Sequence, residues 1–291
     1  MPTLQLPECL PARSNEPVDL TPGDYERIRR LVYAQSGINL GEKKMQLVRA
    51  RLGKIIRARG IGSFHEYYQQ VEEDTSGEEL RSLLDAITTN TTHLFREVRH
   101  FNLLRKQLQT WLADRNWRAQ HSTLRLWSAA CSSGEEPHSI AMVALDVLQH
   151  HPGVELKILA TDLSRRALHR AMAGVYELHR VGTVPPELKQ QFLHPVSVDG
   201  QTMLQLVPQL RQAITFARFN LMTPTFPFKN KFDVIFCRNV MIYFDRPTQQ
   251  TLVGKLASQL HPGGYLLIGH AESLNAVEHQ LAYIEPTVYR K

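Results

Sequence analysis

The sequence predicts an α/β protein in which an N-terminal all-α domain precedes a doubly wound parallel sheet with a small antiparallel β insertion. Three observations lead to this class. Apolar residues recur at helical spacing before residue 90, short apolar runs alternate with amphipathic segments after it, and one interval is too long for a single connection. We expect an irregular tail at residues 1–20, the helical domain at 21–87 and the sheet domain at 88–291.

The N-terminal third of the chain carries helix signals. Prolines at positions 2, 7, 11 and 17 make the first twenty residues an irregular segment. "TPGDYERIRRLVYAQSGI" and "GEKKMQLVRARLGKIIRARGI" then show apolar residues at helical spacing, and each pattern stops near a glycine. "SFHEYYQQVEED" and "SGEELRSLLDAITTN" predict two more helices, so no strand is expected before residue 90.

After Asn90, short apolar runs predict the strands of a parallel sheet. The predicted strands are Leu124–Ala129, Leu156–Thr161, Ile214–Phe219, Phe232–Cys237 and Tyr265–Gly269. Helices are predicted between several of them, at Glu136–Gln149, Ser164–Ala173 and Arg246–Leu260. Right-handed crossovers would place these helices on both faces of the sheet, and ligands would bind at the carboxyl ends of its strands.

The interval Tyr176–Gln212 is too long for one connection between strands. Within it, "HPVSVDGQTMLQLVP" alternates polar and apolar residues around Asp199-Gly200, which is a strong short-range hairpin signal. We therefore expect a small antiparallel insertion at about residues 176–212.

The composition excludes several classes of protein. The chain is 43% hydrophobic and 21% charged, and no apolar run reaches the ~18 residues that a membrane span needs. Because the start lacks the features of a signal peptide, we expect a cytoplasmic protein. Three cysteines without paired spacing, together with scattered histidines, predict neither a disulfide framework nor a metal site. The net charge of +6 permits an anionic partner without identifying one.

Polar residues follow the first four predicted strands, in "ACSSGEEPHS", "TDLS", "NLMTP" and "RNVMIYFD". Asp162, after the second strand, is placed to accept hydrogen bonds from ribose hydroxyls. "CSSGEE" departs from the GxGxxG pattern, and Glu135 and Glu136 would repel phosphate but suit a cationic ligand. Acids in a first helical turn also favour the helix dipole, which alone would explain them. An adenosine ligand with a positive centre and no phosphate is S-adenosylmethionine.

The segment "TTNTTHLFREVRHF", Thr88–Phe101, joins the two predicted domains and mixes hydroxyls with an arginine. We expect a capped helix from Thr92 onward, with Phe95 in its first turns. Asn90, Thr92 and Arg96 are candidate site residues. The alternative is an interdomain helix that is capped by its threonines and carries a solvated arginine.

Taken together, "TTNTTHLFRE", "WSAACSSGEEPHSIAM", "ILATDLS", "FNLM", "FDVIFCRNVMIYFD" and "LHPGGYLLIGHAESL" closely resemble the CheR family of chemotaxis receptor methyltransferases. The resemblance runs from about residue 20 to 285 in the same order and spacing. It implies a helical domain followed by a Rossmann-like methyltransferase sheet with a small antiparallel subdomain. It also implies methyl transfer from S-adenosylmethionine to receptor glutamates, which yields glutamyl methyl esters and S-adenosylhomocysteine for adaptation in chemotaxis.

The resemblance carries over residue by residue where the motifs match. The implied cofactor contacts are Asn90, Thr92, Arg96, Glu135, Asp162, Asn220, Leu221, Asn239 and Val240. Arg96 and Tyr243 match residues at the reacting centre. A glutamate carboxylate has a pKa of about 4.3 and needs no general base at neutral pH, so we assign these two residues to substrate positioning. Arg238, which follows the fourth strand, is a weaker catalytic candidate than Arg96.

A basic helix is the expected contact with the receptor. Residues 43–59 contain seven basic side chains and no acid, and the apolar side of this helix is expected to pack in the core. The basic side resembles the family helix that meets the receptor's acidic methylation helices; a merely solvated face is the alternative. The residues on this side are Lys43, Arg51, Lys54 and Arg57.

In some family members the antiparallel insertion binds a receptor C-terminal peptide, and His194–Pro208 is the corresponding region here. The sequence leaves open whether this chain does so. We expect cytoplasmic helices of methyl-accepting chemoreceptors as partners, contact with the membrane only through them, and no nucleic acid. The competing functions are a nucleic-acid methyltransferase, given the pI near 9.3, and a catalytically silent receptor-binding protein of the same fold.

Overall fold

A computed structural model describes residues 19–291, so the predicted tail at residues 1–20 lies almost wholly outside the described residues. The first part of the described chain is helical, as predicted. Its helices are α1 (Pro22–Ser36), α2 (Met45–Arg59), α3 (Phe64–Glu73) and α4 (Glu78–Ile87), and a 3₁₀ turn at Glu42–Lys44 precedes α2. Between residues 19 and 89 the structure contains no strand.

Local signals set the ends of α1 and tertiary packing stabilises the helices. The Thr21 side chain accepts a hydrogen bond from the backbone N–H of Asp24, Pro22 opens the first turn, and Gly37 ends the helix in the left-handed conformation. The four helices bury one shared apolar core, in which Phe64 and Tyr67 are among the largest fully buried side chains.

The remaining chain forms the predicted α/β domain. Its helices are α5 (Val98–Ala113), α6 (Arg115–Gln120), α7 (Glu135–Leu148), α8 (Arg165–Ala173), α9 (Pro186–Phe192), α10 (Pro208–Gln212) and α11 (Arg246–Gln259). Its strands are β1 (Thr123–Ala129), β2 (Glu155–Asp162), β3 (Val175–Glu177), β4 (Leu193–Val198), β5 (Gln201–Leu206), β6 (Ile214–Arg218), β7 (Phe232–Cys237), β8 (Leu260–Ile268), β9 (Ala282–Glu285) and β10 (Val288–Arg290). Two 3₁₀ turns lie at Leu178–Val181 and Met241–Tyr243.

The main sheet has seven strands in the order β6-β2-β1-β7-β8-β10-β9, of which the first five are parallel neighbours. The chain winds from β1 through β2 to β6 in one direction and then returns to β7 and β8 on the other side of β1. The order therefore reverses between β1 and β7, and a doubly wound sheet opens a ligand crevice at the carboxyl ends of such a pair.

Two features of the sheet differ from the prediction. β8 begins at Leu260 rather than Tyr265, because Leu260 already pairs with Phe232 before the register shifts. The antiparallel strands β9 and β10 were not predicted. β9 is exposed along its length and β10 has three residues, so neither shows a hydrophobic period. Both depend on tertiary pairing, since β10 pairs with β8 and β9 pairs with β10.

The predicted antiparallel insertion is present as the three-stranded sheet β3-β5-β4. Val198 pairs with Gln201, so the two-residue turn Asp199-Gly200 joins β4 to β5. Both turn residues have positive φ, 50° and 77°, as this kind of tight hairpin requires.

A buried histidine links the insertion to the main sheet. The Nδ1 atom of His138 in α7 lies 2.5 Å from the hydroxyl of Tyr176 in β3, and burial lowers the pKa of His138 to about 3. An unfolded histidine titrates near pH 6.5, so between these values the unfolded chain binds more protons than the folded one.

We therefore expect the free energy of unfolding to fall as the pH falls from about 6.5 towards 3, with His138 contributing at most about 1.4 kcal/mol per pH unit. Urea unfolding at pH 7 and pH 5 measures this difference. His138→Gln should make it smaller, whereas His169→Gln, at an exposed position of α8, should leave it unchanged. An unaltered pH dependence in His138→Gln would contradict the assignment.

Candidate functional site

A cavity of about 420 Å³ lies at the carboxyl ends of β1 and β7, where the strand order reverses. Nine of the ten predicted site residues line it. These are Asn90, Thr92, Arg96, Asp162, Asn220, Leu221, Asn239, Val240 and Tyr243. Its volume is in the range of pockets that hold small organic ligands.

The loop after β1 forms one wall through Ala130, Cys131 and Ser132. The chain turns sharply there, since Ala130 and Ser132 have φ values of 64° and 51°. Gly134 has a φ of 95°, and an added Cβ would lie 2.7 Å from the Cβ of Ala171 in α8. The glycine is thus required for the close packing of α7 against α8.

Asp162, at the end of β2, is only 7% exposed and faces the cavity. Its Oδ2 accepts the backbone N–H of Ser132 and its Oδ1 that of Ser164, both at 2.8 Å. Burial raises the pKa of Asp162, while these two hydrogen bonds act in the opposite direction. A carboxylate has about four acceptor positions, so two remain for hydroxyl groups of a ligand.

The two acids at the start of α7 have different surroundings. Glu135 does not line the cavity; it is buried and accepts hydrogen bonds from Arg180 at 2.9 Å and the Ser133 hydroxyl at 2.7 Å. Glu136 does line the cavity and accepts a hydrogen bond from the Ser128 hydroxyl at 2.6 Å. Glu136 rather than Glu135 therefore lines the cavity, because the first turn of α7 points Glu135 at the insertion, while the ligand contact predicted for Glu135 stays a prediction.

Arg238, directly after β7, forms the centre of a buried charge network. Its Nη2 lies 2.9 Å from Glu97 and its Nη1 3.2 Å from Glu136, while Nη2 also donates to the backbone carbonyl of Arg96. The side chains of Arg238, Glu97 and Glu136 are 1%, 10% and 13% exposed. One guanidinium thus faces two carboxylates at the cavity wall.

The two carboxylates respond differently to this single cation. Burial by itself raises the pKa of Glu97, but the charge and hydrogen bonds of Arg238, together with the hydrogen bonds from His270 and Asn239, outweigh it and leave that pKa below its usual value. For Glu136, burial dominates and raises the pKa, although Arg238 acts against it. Glu97 is therefore the ionised partner of Arg238, and Glu136 is an acid whose charge a cationic ligand would stabilise.

The segment that carries Arg96 is not helical, so the predicted helix from Thr92 is wrong; α5 begins at Val98. Phe95 and Glu97 have φ values of 56° and 60°, outside the helical region. The backbone N–H of Phe95 donates to a side chain of α7 and Glu97 turns towards its ion pair, so tertiary contacts override the local helix signal.

The helical domain supplies the opposite wall of the cavity, through the end of α1, the α1–α2 connection, the first turn of α2 and the end of α4. The lining residues from this domain are Ser36, Ile38, Asn39, Leu40, Lys44, Leu47 and Ile87. Four of these seven side chains are apolar, and Lys44 adds a positive charge to the wall.

Hydrogen bonds fix this wall against the sheet domain. The side-chain amide of Asn220 donates to the backbone carbonyl of Gln35 at 2.6 Å. The backbone N–H of Asn39 donates to the backbone carbonyl of Tyr243 at 2.8 Å. Two predicted cavity residues therefore also join the domains, which makes the cavity a product of both.

Arg51 differs from the prediction, because it does not lie free on the basic face that was expected to contact the receptor. Its guanidinium donates to the backbone carbonyl of Thr88 and to the hydroxyl of Thr89, both at 3.0 Å, so it holds the connection after α4 in place. The side chain was expected on the free basic face, but these acceptors lie next to it once α2 packs on α4. The other three predicted residues are exposed: Lys43, Lys54 and Arg57.

Within residues 19–291, one group of three metal-ligand side chains comes together, formed by Glu97, His100 and His270 with candidate atoms within 4.8 Å of one another. The Glu97 carboxylate already accepts hydrogen bonds from Arg238 at 2.9 Å, from the backbone N–H of His270 at 3.1 Å and from the Asn239 amide at 3.3 Å. A cation would compete with the guanidinium there, so we assign this group to the charge network.

Sequence reasoning missed Glu97 and Glu136 as a pair and placed little weight on Arg238. A signal existed for the arginine, because a charged residue directly follows a strand whose six residues are all buried. No pattern in the sequence showed which acids would reach it, since they lie 141 and 102 positions away.

In the described residues no helix combines the length and apolar character that crossing a bilayer requires.

Comparison with known proteins identifies the family. The model described as "CheR methyltransferase, all-alpha domain" matches residues 23–88, and that described as "CheR methyltransferase, SAM binding domain" matches residues 90–290. The chain is 39% identical to a "Chemotaxis protein methyltransferase" of Borreliella burgdorferi, with 94% of this chain and 96% of the relative covered. It is 37% identical to "Chemotaxis protein methyltransferase 2" of Pseudomonas aeruginosa, with 96% of each covered.

A third relative, the "Chemotaxis protein methyltransferase" of Escherichia coli, is 34% identical over 94% of this chain and 92% of its own length. The two family models together span almost the whole described chain, and their boundary coincides with the connection between α4 and the cavity segment. The chain therefore belongs to the CheR family and is an S-adenosylmethionine-dependent methyltransferase.

Proposed function

We propose that this chain methylates glutamate side chains of chemoreceptors with S-adenosylmethionine, as an adaptation enzyme of chemotaxis. Its relatives are named chemotaxis protein methyltransferases. The observation that carries the proposal is the cavity between the two domains, which brings Asp162, Glu136, Arg96 and Tyr243 onto one surface. We place the reaction in the cytoplasm, where the receptors present their methylation helices.

The cavity fits this cofactor in size and charge. Its volume of about 420 Å³ suits a ligand of this class. Asp162 has acceptor positions for the ribose hydroxyls, and Glu136 offers a carboxylate to a ligand with a positive centre. We propose the remaining predicted lining residues as contacts to the adenosine and amino-acid portions: Asn90, Thr92, Asn220, Leu221, Asn239 and Val240.

Positioning accounts for the chemistry that the protein must supply. S-adenosylmethionine, when bound, supplies an electrophilic methyl group on its sulfonium. The attacking glutamate carboxylate is ionised at neutral pH, so no general base is needed. We assign Arg96 and Tyr243 to holding this carboxylate in line, a term that contributes roughly 7–11 kcal/mol in favourable models. The apolar wall from the helical domain keeps water away from the reacting atoms.

Receptor recognition is assigned to two surfaces. We propose the exposed basic residues Lys43, Lys54 and Arg57 as the electrostatic contact with the acidic methylation helices. In the insertion, β4 is an edge strand of the sheet β3-β5-β4, so a receptor C-terminal peptide could extend that sheet by one strand.

The function is tested by incubating the purified protein with methyl-labelled S-adenosylmethionine and either receptor-containing membranes or RNA. We expect base-labile label on the receptor, because a glutamyl methyl ester hydrolyses in base. Label that appears on RNA alone would establish the nucleic-acid methyltransferase instead. Binding of S-adenosylhomocysteine without label on either substrate would indicate the catalytically silent alternative.

Separate variants test the two halves of the site. Asp162→Ala should weaken S-adenosylhomocysteine binding by about tenfold or more, since charge-assisted hydrogen bonds are lost. Arg96→Ala should lower turnover by about 100-fold, because the carboxylate loses its alignment, and should change that affinity less. Calorimetric titration and initial rates provide the two measurements. If both variants bound and turned over like the parent, the assignment of the site would be wrong.

Charge reversal tests the receptor contact. The double variant with Lys54→Glu and Arg57→Glu should raise the KM for receptor membranes by about tenfold at low salt and less at high salt, because screening weakens the contact. Its affinity for S-adenosylhomocysteine should stay unchanged. Lys229→Glu is the matched control, since this exposed lysine precedes β7 at the sheet edge opposite the cavity. Equal KM values for the double variant and the parent would remove α2 from the receptor contact.

A further inference from the structure

A carboxylate outside the cavity connects the loops that follow β7 and β8. Glu272 is 8% exposed, and its Oε2 accepts the backbone N–H of Asn239 at 2.9 Å and that of Gly269 at 2.5 Å. Its Oε1 accepts the backbone N–H of Ile242 at 3.3 Å. One side chain thus accepts hydrogen bonds from three backbone N–H groups in two loops. These contacts hold the two loops together, as a solvated surface acid would not.

The loop after β7 forms part of the cavity wall. Asn239, Val240, Ile242 and Tyr243 all line the cavity, whereas Glu272 does not. Three of these four residues are proposed above to contact cofactor or substrate. Any role of Glu272 in the reaction is therefore exerted through the backbone of this loop.

The loop holds a conformation that needs external support. Asn239 has a φ of 59°, a left-handed conformation that is costly for a residue with a Cβ. Its side-chain amide donates to Glu97 at 3.3 Å, and its backbone N–H donates to Glu272. Two carboxylates therefore restrain one residue, Glu97 through the side chain and Glu272 through the backbone.

Gly269 brings the second loop into direct contact with Asn239. A Cβ added at Gly269 would lie 2.4 Å from Asn239 Nδ2 and 2.7 Å from its backbone nitrogen. Only a hydrogen atom fits between the loops. Loss of the Glu272 acceptor and addition of a methyl group at Gly269 should thus displace the same residue by two independent routes.

We propose that Glu272 is a positioning residue for methyl transfer, whose carboxylate holds the backbone at Asn239 and Ile242 so that the cavity wall keeps its binding conformation. The inference rests on the proposed function of the cavity. This role requires both carboxylate oxygens, because Oε2 accepts from Asn239 and Gly269 whereas Oε1 accepts from Ile242. In Glu272→Gln one oxygen becomes an NH₂ group that opposes a backbone N–H, while size and shape hardly change.

The competing explanation is that Glu272 only stabilises the ends of β7 and β8. At equal stability of the variants, the two explanations predict different affinities for S-adenosylhomocysteine. A destabilised protein that still folds binds its ligand normally well below its midpoint of unfolding, whereas a displaced cavity wall does not. Val71→Ala, which truncates a buried side chain of α3 in the helical core, supplies a matched destabilised control.

The experiment measures the Kd for S-adenosylhomocysteine by calorimetry, and the midpoint of thermal unfolding, for the parent and for Glu272→Gln, Gly269→Ala and Val71→Ala. We expect Glu272→Gln and Gly269→Ala each to raise the Kd by about fivefold or more, and Val71→Ala to leave it unchanged. The KM for S-adenosylmethionine should rise in parallel. A smaller rise in Glu272→Gln would overturn the proposal, whatever Gly269→Ala shows, and would leave Glu272 a stabilising residue.

Two features keep the result decisive. If Glu272→Gln does not fold, Glu272→Asp takes its place, because the shorter side chain keeps the charge but cannot reach the donors of both loops; an unchanged Kd in that variant would overturn the proposal. The binding measurement contains no receptor. A parent that binds S-adenosylhomocysteine but methylates no receptor would therefore contradict the proposed function and not the role of Glu272.

Discussion

The buried contact of Arg238 with Glu97 and Glu136 is the interaction on which the site depends. It joins the end of β7, the start of α7 and the segment before α5, and the same guanidinium holds the backbone carbonyl of Arg96. Removing such a charge from water is costly, and a carboxylate left without its partner in the interior is more costly still. The arginine and its two acids therefore constrain each other, and the three segments must meet at the cavity wall.

Backbone strain is concentrated at the same wall. Of the seven non-glycine residues with positive φ in the described chain, five lie in the segments around the cavity: Phe95, Glu97, Ala130, Ser132 and Asn239. Four of them are restrained by a hydrogen bond or ion pair from another element: Phe95 by Ser139, Glu97 by Arg238, Ser132 by Asp162 and Asn239 by Glu272. Strain of this kind persists where the surroundings over-determine the conformation, and it places backbone groups that regular structure could not.

Both domains line the cavity, so the helical domain contributes to the site as well as to the proposed receptor contact. Its α1–α2 connection contributes an apolar wall and is hydrogen-bonded to Asn220 and Tyr243 of the sheet domain. A carboxylate nucleophile reacts faster when water is excluded and its partner is aligned. The helix proposed to meet the receptor, α2, also contributes Leu47 to this wall, so recognition and chemistry share one element.

The sequence by itself determined the fold class, the helical domain, the parallel strands and the hairpin at Asp199-Gly200, because these depend on periodicity and turn chemistry. Most of the cavity residues were predicted through the resemblance of its motifs to the CheR family. Tertiary structure alone decided the rest. The segment before α5 is not helical because Phe95 and Glu97 find partners on other elements, and Glu136 instead of Glu135 faces the cavity because α7 orients them. Arg51 became a support of the domain connection for the same reason. Local patterns record what a residue prefers, whereas partners more than a hundred positions apart, such as Arg238 and its two acids, are known only once the chain has folded.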